Sequence, residues 1–173
     1  MKRATAVICA AAAALATADS SAAANGALIP GEQAVIRIAV KMGANATSGV
    51  ACVDLGGRNA SGQILAGTAG RRTGAISLDT RYTCLPVVEW WRTGRLTASA
   101  FQGLVTIGHE IAHTRGVGNE AAAECVGAQA ALGELRRLGK PLSDVMGAKR
   151  WLREQHDRSV PPAYRLSGIT CRF

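Results

Sequence analysis

From about Arg81 to Pro161-Pro162 the apolar residues recur at the three- and four-residue spacing of helices, and nothing else in the chain constrains its fold as much. Cys84, Leu85, Val88 and Trp91 form a first stripe that closes at Gly94. A second helix is expected over 97–115, with Thr97 as its N-cap and Gly116 as a left-handed stop. Its apolar face is Phe101, Leu104, Val105, Gly108, Ile111 and Ala112. A third covers 119–138, with Cys125, Ala128, Leu132 and Leu135 on one side, and ends at Leu138-Gly139-Lys140-Pro141. A fourth covers 143–157, with Met146, Trp151 and Leu152 facing inward.

Residues 25–80 have a different texture. They are Gly-rich, with short apolar stretches at 34–40, 50–55, 64–66 and 75–78. Met42-Gly43, Gly56-Gly57-Arg58-Asn59 and the run from Gly70 to Gly74 separate them, a pattern that predicts a small sheet. The fold class is therefore α+β: a single small domain, short N-terminal strands followed by about four helices, and disulfide-bonded. Aromatic residues are only 4% of the chain, so the core must be aliphatic and its helices must approach through small side chains.

The N-terminus predicts export. Met1-Lys2-Arg3 is a basic start, an apolar run over 4–18 follows, and Ala22-Ala23-Ala24 offers a small-residue cleavage site. Residues 1–24 are thus expected to be a signal peptide and 25–173 the mature, secreted domain. Cys9 would leave with the signal, reducing five cysteines to four: Cys52, Cys84, Cys125 and Cys171. An even number suits two disulfides in an oxidising exterior, and four cysteines allow three pairings. Beyond the N-terminal run no apolar stretch approaches the ~18 residues of a membrane span. The net charge of +8 is spread along the chain without a block of like charges, so it argues only weakly for an anionic partner; no nucleic-acid partner and no membrane span of the mature chain are expected.

The chemistry lies on the second helix. His109-Glu110-Ile111-Ala112-His113 is His-Glu-x-x-His and uses two of the three histidines in the chain. Residues four apart share a helix face, so both imidazoles can reach one metal ion, and zinc suits neutral imidazole nitrogen. Glu110 is positioned in sequence to take a proton from a water on that ion.

The segment around the motif resembles the zincin superfamily of zinc metallopeptidases. His109 through Asn119 fits His-Glu-x-x-His-x-x-Gly-x-x-Asn. In metzincins and snapalysin-like enzymes, a glycine at the place of Gly116 turns the chain, and the third ligand stands at the place of Asn119. An Asn amide is a poor zinc ligand, so the sequence departs from that pattern. The second likeness is to the thermolysin-like gluzincins, through Asn119-Glu120-Ala121-Ala122-Ala123-Glu124. It implies Glu120 as third ligand and Glu124 as acceptor for a histidine N–H, although Glu120 follows His113 much sooner than in that family. Glu124 is the alternative third ligand.

The stretch from Tyr82-Thr83-Cys84 through the motif to Cys125 also resembles small secreted zincin-like proteins of high-GC bacteria. That resemblance implies Cys84 paired with Cys125, and with it Cys52 with Cys171. The zincin resemblance implies an extended peptide or protein substrate laid on an edge strand near residues 76–78. His156 or Tyr164 would stabilise the oxyanion, the plainer reading of His156 being a solvated side chain in the charged run 153–158. Trp90-Trp91 could line the cleft, one of the two being buried, and Arg71-Arg72 reads as a solvated turn. The implied function is a secreted zinc metallopeptidase. The alternative is a secreted zinc-binding domain without turnover, closed by a fourth protein ligand.

Overall fold

The computed structural model describes residues 30–56 and 65–173. The expected signal peptide and the turn at Gly57-Arg58-Asn59 lie outside the described residues. The chain is α+β, with six helices and a three-stranded sheet among the described residues. The first element corrects the expected sheet: residues 34–40 are not a strand but part of helix α1, Glu32–Met42. Their run of β-branched residues looks strand-like. Yet Ala34, Val35, Ile38 and Ala39 are buried while Gln33, Arg37 and Lys41 are exposed, which is a 3.6-residue period. Glu32, buried at the start of α1, accepts the Cys52 N–H at 2.8 Å and ties the helix to the sheet.

The sheet holds β1 (Val50–Val53), β2 (Gly67–Ala69) and β3 (Ile76–Asp79) in the order β1-β3-β2. β1 runs parallel to β3 with Val50 opposite Ile76, and β2 runs antiparallel with Gly67 opposite Leu78. The strand expected at 64–66 lies just later in the chain, at β2. β3 is therefore the middle strand and β2 the edge, so residues 76–78 offer no free edge to a peptide. Asp79 ends β3 by accepting the backbone N–H groups of Arg81 and Tyr82, which winds the chain through a wide turn, Thr80–Cys84, into α2 (Leu85–Thr93).

The helical half follows the expected order. α3 spans Ala98–Thr114 and is capped by Thr97, whose side chain accepts the Ala100 N–H. α4 spans Glu120–Arg137, and the side chain of Asn119 caps it by accepting the Ala122 N–H at 2.8 Å. α5 is Leu142–Glu154 and α6 is the short turn His156–Ser159. Gly116, at φ +90°, lets the chain reverse between α3 and α4. α3 is the central element, packed against α2, α4 and the sheet, and its Phe101, Leu104, Ile107 and Ile111 are buried in the common core.

α3 and α4 cross at glycines. A Cβ on Gly108 would lie 2.8 Å from Gly127 Cα, and one on Gly127 would meet the Val105 carbonyl and stand 2.8 Å from the His109 nitrogen. That crossing brings His109 and His113 of α3 close to Glu120 and Glu124 of α4. Trp90 is buried and Trp91 is half exposed. Met146 is exposed, against the expectation that it is core, because α5 buries Val145, Ala148 and Leu152 and the next position turns about 100° off that stripe.

The disulfides also correct the expectation. Cys52 is bonded to Cys84 and Cys125 to Cys171. Cys52 on β1 faces Leu78 across the ladder, and Cys84 follows β3 by one turn, which brings their Cα atoms within 6.2 Å. Cys125 on α4 instead faces the C-terminal tail. Two such bridges indicate an oxidising, extracellular-type environment. No helix among the described residues is long and apolar enough to cross a membrane.

Candidate metal centre and cleft

His109 and His113 lie one turn apart on α3, and Glu120 opens α4 opposite them. Their ligand atoms lie within 4.8 Å of one another. The two Nε2 atoms are 2.8 Å apart, and Glu120 Oε2 is 3.2 Å from His109 Nε2 and 3.3 Å from His113 Nε2. The other ring nitrogens decide where the protons sit. His113 Nδ1 is 2.6 Å from the Val117 carbonyl oxygen, which can only accept, so Nδ1 carries the proton. His109 Nδ1 donates in the same way to Glu124 Oε2 at 2.9 Å.

With Nδ1 carrying the proton, each ring in its neutral form presents an Nε2 lone pair, and Glu120 adds a third. The two Nε2 atoms and a Glu120 oxygen converge on one point, an arrangement that a cation can bridge. Donors at about 2.0–2.1 Å from a tetrahedral ion stand roughly 3.3 Å apart. The two carboxylate–imidazole separations match that spacing, and the imidazole pair is closer. His109, His113 and Glu120 could thus hold a divalent ion. Two imidazoles and a carboxylate suit a first-row transition metal better than calcium or magnesium.

Glu124 is occupied otherwise. Its Oε2 accepts from His109 and its Oε1 accepts from His156 Nε2 at 2.7 Å, so neither oxygen is free to act as a ligand. Burial works against its charge, but the hydrogen bonds from the two histidines outweigh this and hold the carboxyl at about 2. Asn119, at the third-ligand place of the metzincin pattern, is consumed as the α4 cap.

Glu110 sits beside the triad with no hydrogen bond to the described residues. Burial, reinforced by the charges of Glu120 and Glu124 and opposed by His109, pushes its carboxyl up to about 7. Directly over it runs the edge strand: a Cβ on Gly67 would lie 2.8 Å from Glu110 Cγ.

Two cavities meet at His109, Glu110, Gly67 and Tyr164. One, of about 240 Å³, is polar and includes His113, Glu120 and Arg71, so the exposed Arg71 is also part of the wall beside the triad. The other, of about 640 Å³, follows α3 towards its N-terminus between β2 and the C-terminal segment. Ser99, Gln102 and Thr106 floor it, with Tyr82, Trp151 and Val160 among its walls. No family model matches the chain, and no curated protein or solved structure matches it.

Of the expected oxyanion stabilisers, only Tyr164 reaches the cleft. Its ring stacks on His109 with centroids 5.4 Å apart, and burial, with the nearby glutamates, raises its hydroxyl to about 12. It therefore stays a neutral donor. His156 is neither solvated nor in the cleft: it is fully buried behind Glu124. Trp90 and Trp91 do not line either cavity. Thr106 and Gln102 were missed by motif reading, although their spacing of one and two turns before Glu110 puts them on the same helix face. Gly67 had no local signal.

Proposed function

We propose that the protein is a secreted zinc-dependent metallopeptidase. The observation that carries this reading is the convergence of two imidazole nitrogens and a carboxylate oxygen beside the buried Glu110, which has no hydrogen bond to the described residues, at the meeting point of two cavities. His109, His113 and Glu120 would hold the zinc. When bound, zinc lowers the pKa of a coordinated water towards about 7 and polarises a peptide carbonyl.

The chain's own residues account for the rest. Glu110, near neutrality by burial, takes a proton from the attacking water as its oxygen bonds to the carbonyl carbon. It then passes that proton to the amine nitrogen as the C–N bond breaks. Tyr164, kept neutral, is the donor available to the oxyanion. Glu124 fixes His109 in the tautomer whose Nε2 is a ligand. An extended substrate would add its backbone to β2, an edge strand among the described residues that lies over Glu110, and place a side chain in the larger cavity.

The test separates binding from chemistry. Full-length zinc-loaded protein should cleave an unstructured protein such as casein, and chelator should abolish cleavage. Glu110→Gln should bind zinc as wild type does and lose at least ~10²-fold in kcat. Cleavage that survives Glu110→Gln would overturn the mechanism.

A further inference from the structure

His156 stands behind the metal centre and is the one histidine the mechanism does not use. Its side chain is fully buried, yet it belongs to a charged run on the last short helix. Nδ1 lies 3.0 Å from Asp157 Oδ1, and Nε2 lies 2.7 Å from Glu124 Oε1. Both neighbours are carboxylates, which accept and do not donate. Two such contacts require a proton on each ring nitrogen, which makes the ring an imidazolium.

The neighbours of this ring hold it in place. Asp157 is fixed by accepting the backbone N–H groups of Leu166 and Ser167, each at 2.8 Å. Trp151 from α5 meets the ring edge-on at 5.5 Å and carries no charge. Glu124 from α4 and Asp157 are the charged groups that face it. A continuous chain of hydrogen bonds therefore runs from the tail backbone through Asp157, His156 and Glu124 to His109 Nδ1.

We propose that His156 is a positioning residue for the metal centre, an imidazolium that clamps one oxygen of Glu124 so that the other orients and fixes the tautomer of His109. The consequence for metal affinity rests on the zinc reading above; the charge and contacts of His156 do not. Without His156, Glu124 Oε1 loses its strongest donor, because the remaining one, Gln102 Nε2, is 3.4 Å away. The carboxylate would then be a buried charge with half its support gone.

The experiment has two arms on the full-length chain. In the metal-free protein, ¹⁵N NMR of the histidine rings is recorded one pH unit above the ordinary histidine pKa of about 6.5. His156 should show two protonated nitrogens; a singly protonated, neutral ring would overturn the assignment without reference to metal.

In the second arm zinc affinity is measured by competition with a chelator for wild type, His156→Gln, His156→Leu, Glu124→Gln and the double variant His156→Leu/Glu124→Gln. Removing outer partners of a metal ligand typically costs about 10–100-fold in affinity. His156→Leu should fall in that range, and His156→Gln, which keeps a neutral donor, should recover part of the loss. In the Glu124→Gln background His156→Leu should cost nothing further, because the two act in series. Additive losses, or wild-type affinity in His156→Leu, would overturn the proposal. A wild type that binds no zinc would overturn the metal reading instead, and leave the ring measurement to judge His156.

Discussion

Gly67 leaves no room for a side chain over Glu110, and that is where a single methyl should act most directly on activity. A Cβ on Gly67 would stand 2.8 Å from Glu110 Cγ and 2.9 Å from its Oε1, so the whole of that buried side chain must shift. Gly67→Ala should therefore displace Glu110, the base of the proposed mechanism, at a modest cost in thermal stability. Misplacing a reacting group by about 1 Å costs roughly 10²-fold, so kcat should fall by that order with KM little altered; steady-state kinetics beside a melting curve would show it. Equal kcat would mean that Glu110 is not held against β2 during turnover.

At this scale the sequence was informative wherever chemistry and helical spacing coincide. His109, Glu110 and His113 could be placed on one face from their positions alone, and Glu120 and Glu124 follow from the next helix. His156 was not legible: a charged stretch reads as solvated, and only tertiary packing shows that its partners are buried carboxylates.

At the scale of elements, α4 carries two glycines with opposite roles. Gly127 lies in the crossing with α3, where a Cβ would meet the Val105 carbonyl, whereas Gly133 has nothing within 4 Å. Gly133→Ala should stabilise the protein by about 0.5–1 kcal/mol, the usual gain at a helix interior. Gly127→Ala should cost about 1–3 kcal/mol by overpacking and should weaken metal binding, because it separates Glu120 and Glu124 from the histidines. Denaturant unfolding of both variants checks the opposite signs.

The caps and stops of α2 to α4 were readable because Thr97, Gly94 and Gly116 act locally. α1 was not, since β-branched residues at 34–40 obscure a helical burial pattern that depends on the sheet lying beneath it. The disulfide partners were equally hidden: the pairing depends on which cysteines the β1–β3 ladder and the tail bring together.

The whole molecule is closed by its C-terminal tail, which the Cys125–Cys171 bridge holds against α4 and which brings Tyr164 to the cleft. The same region carries the buried pair His156–Glu124, and its titration sets a stability profile for the metal-free protein. Glu124 is lowered from 4.5 to about 2, so its contribution is complete above pH 4.5 and is lost as pH falls towards 2. Burial works against the charge of His156, but the hydrogen bonds to Glu124 and Asp157 outweigh it and raise its pKa above 6.5. Its contribution is complete below pH 6.5 and is lost as pH rises through that raised value.

Glu110, raised from 4.5 to about 7, retains a proton in the folded state that the unfolded chain releases, so stability also falls across that interval as pH rises. Melting temperatures of metal-free protein should therefore peak on the acid side of neutrality. His156→Leu should flatten the alkaline limb. A profile that rises steadily from pH 5 to 8 in the wild type would contradict this balance of charges.

Metal content per chain tests the central claim most directly, measured on purified full-length wild type, Glu120→Ala and Glu124→Ala after equilibration with zinc. One zinc per chain in the wild type, lost in Glu120→Ala and retained at weaker affinity in Glu124→Ala, is the expected result. No zinc in the wild type, or zinc lost with Glu124 and kept without Glu120, would contradict the assignment of His109, His113 and Glu120 as the metal centre.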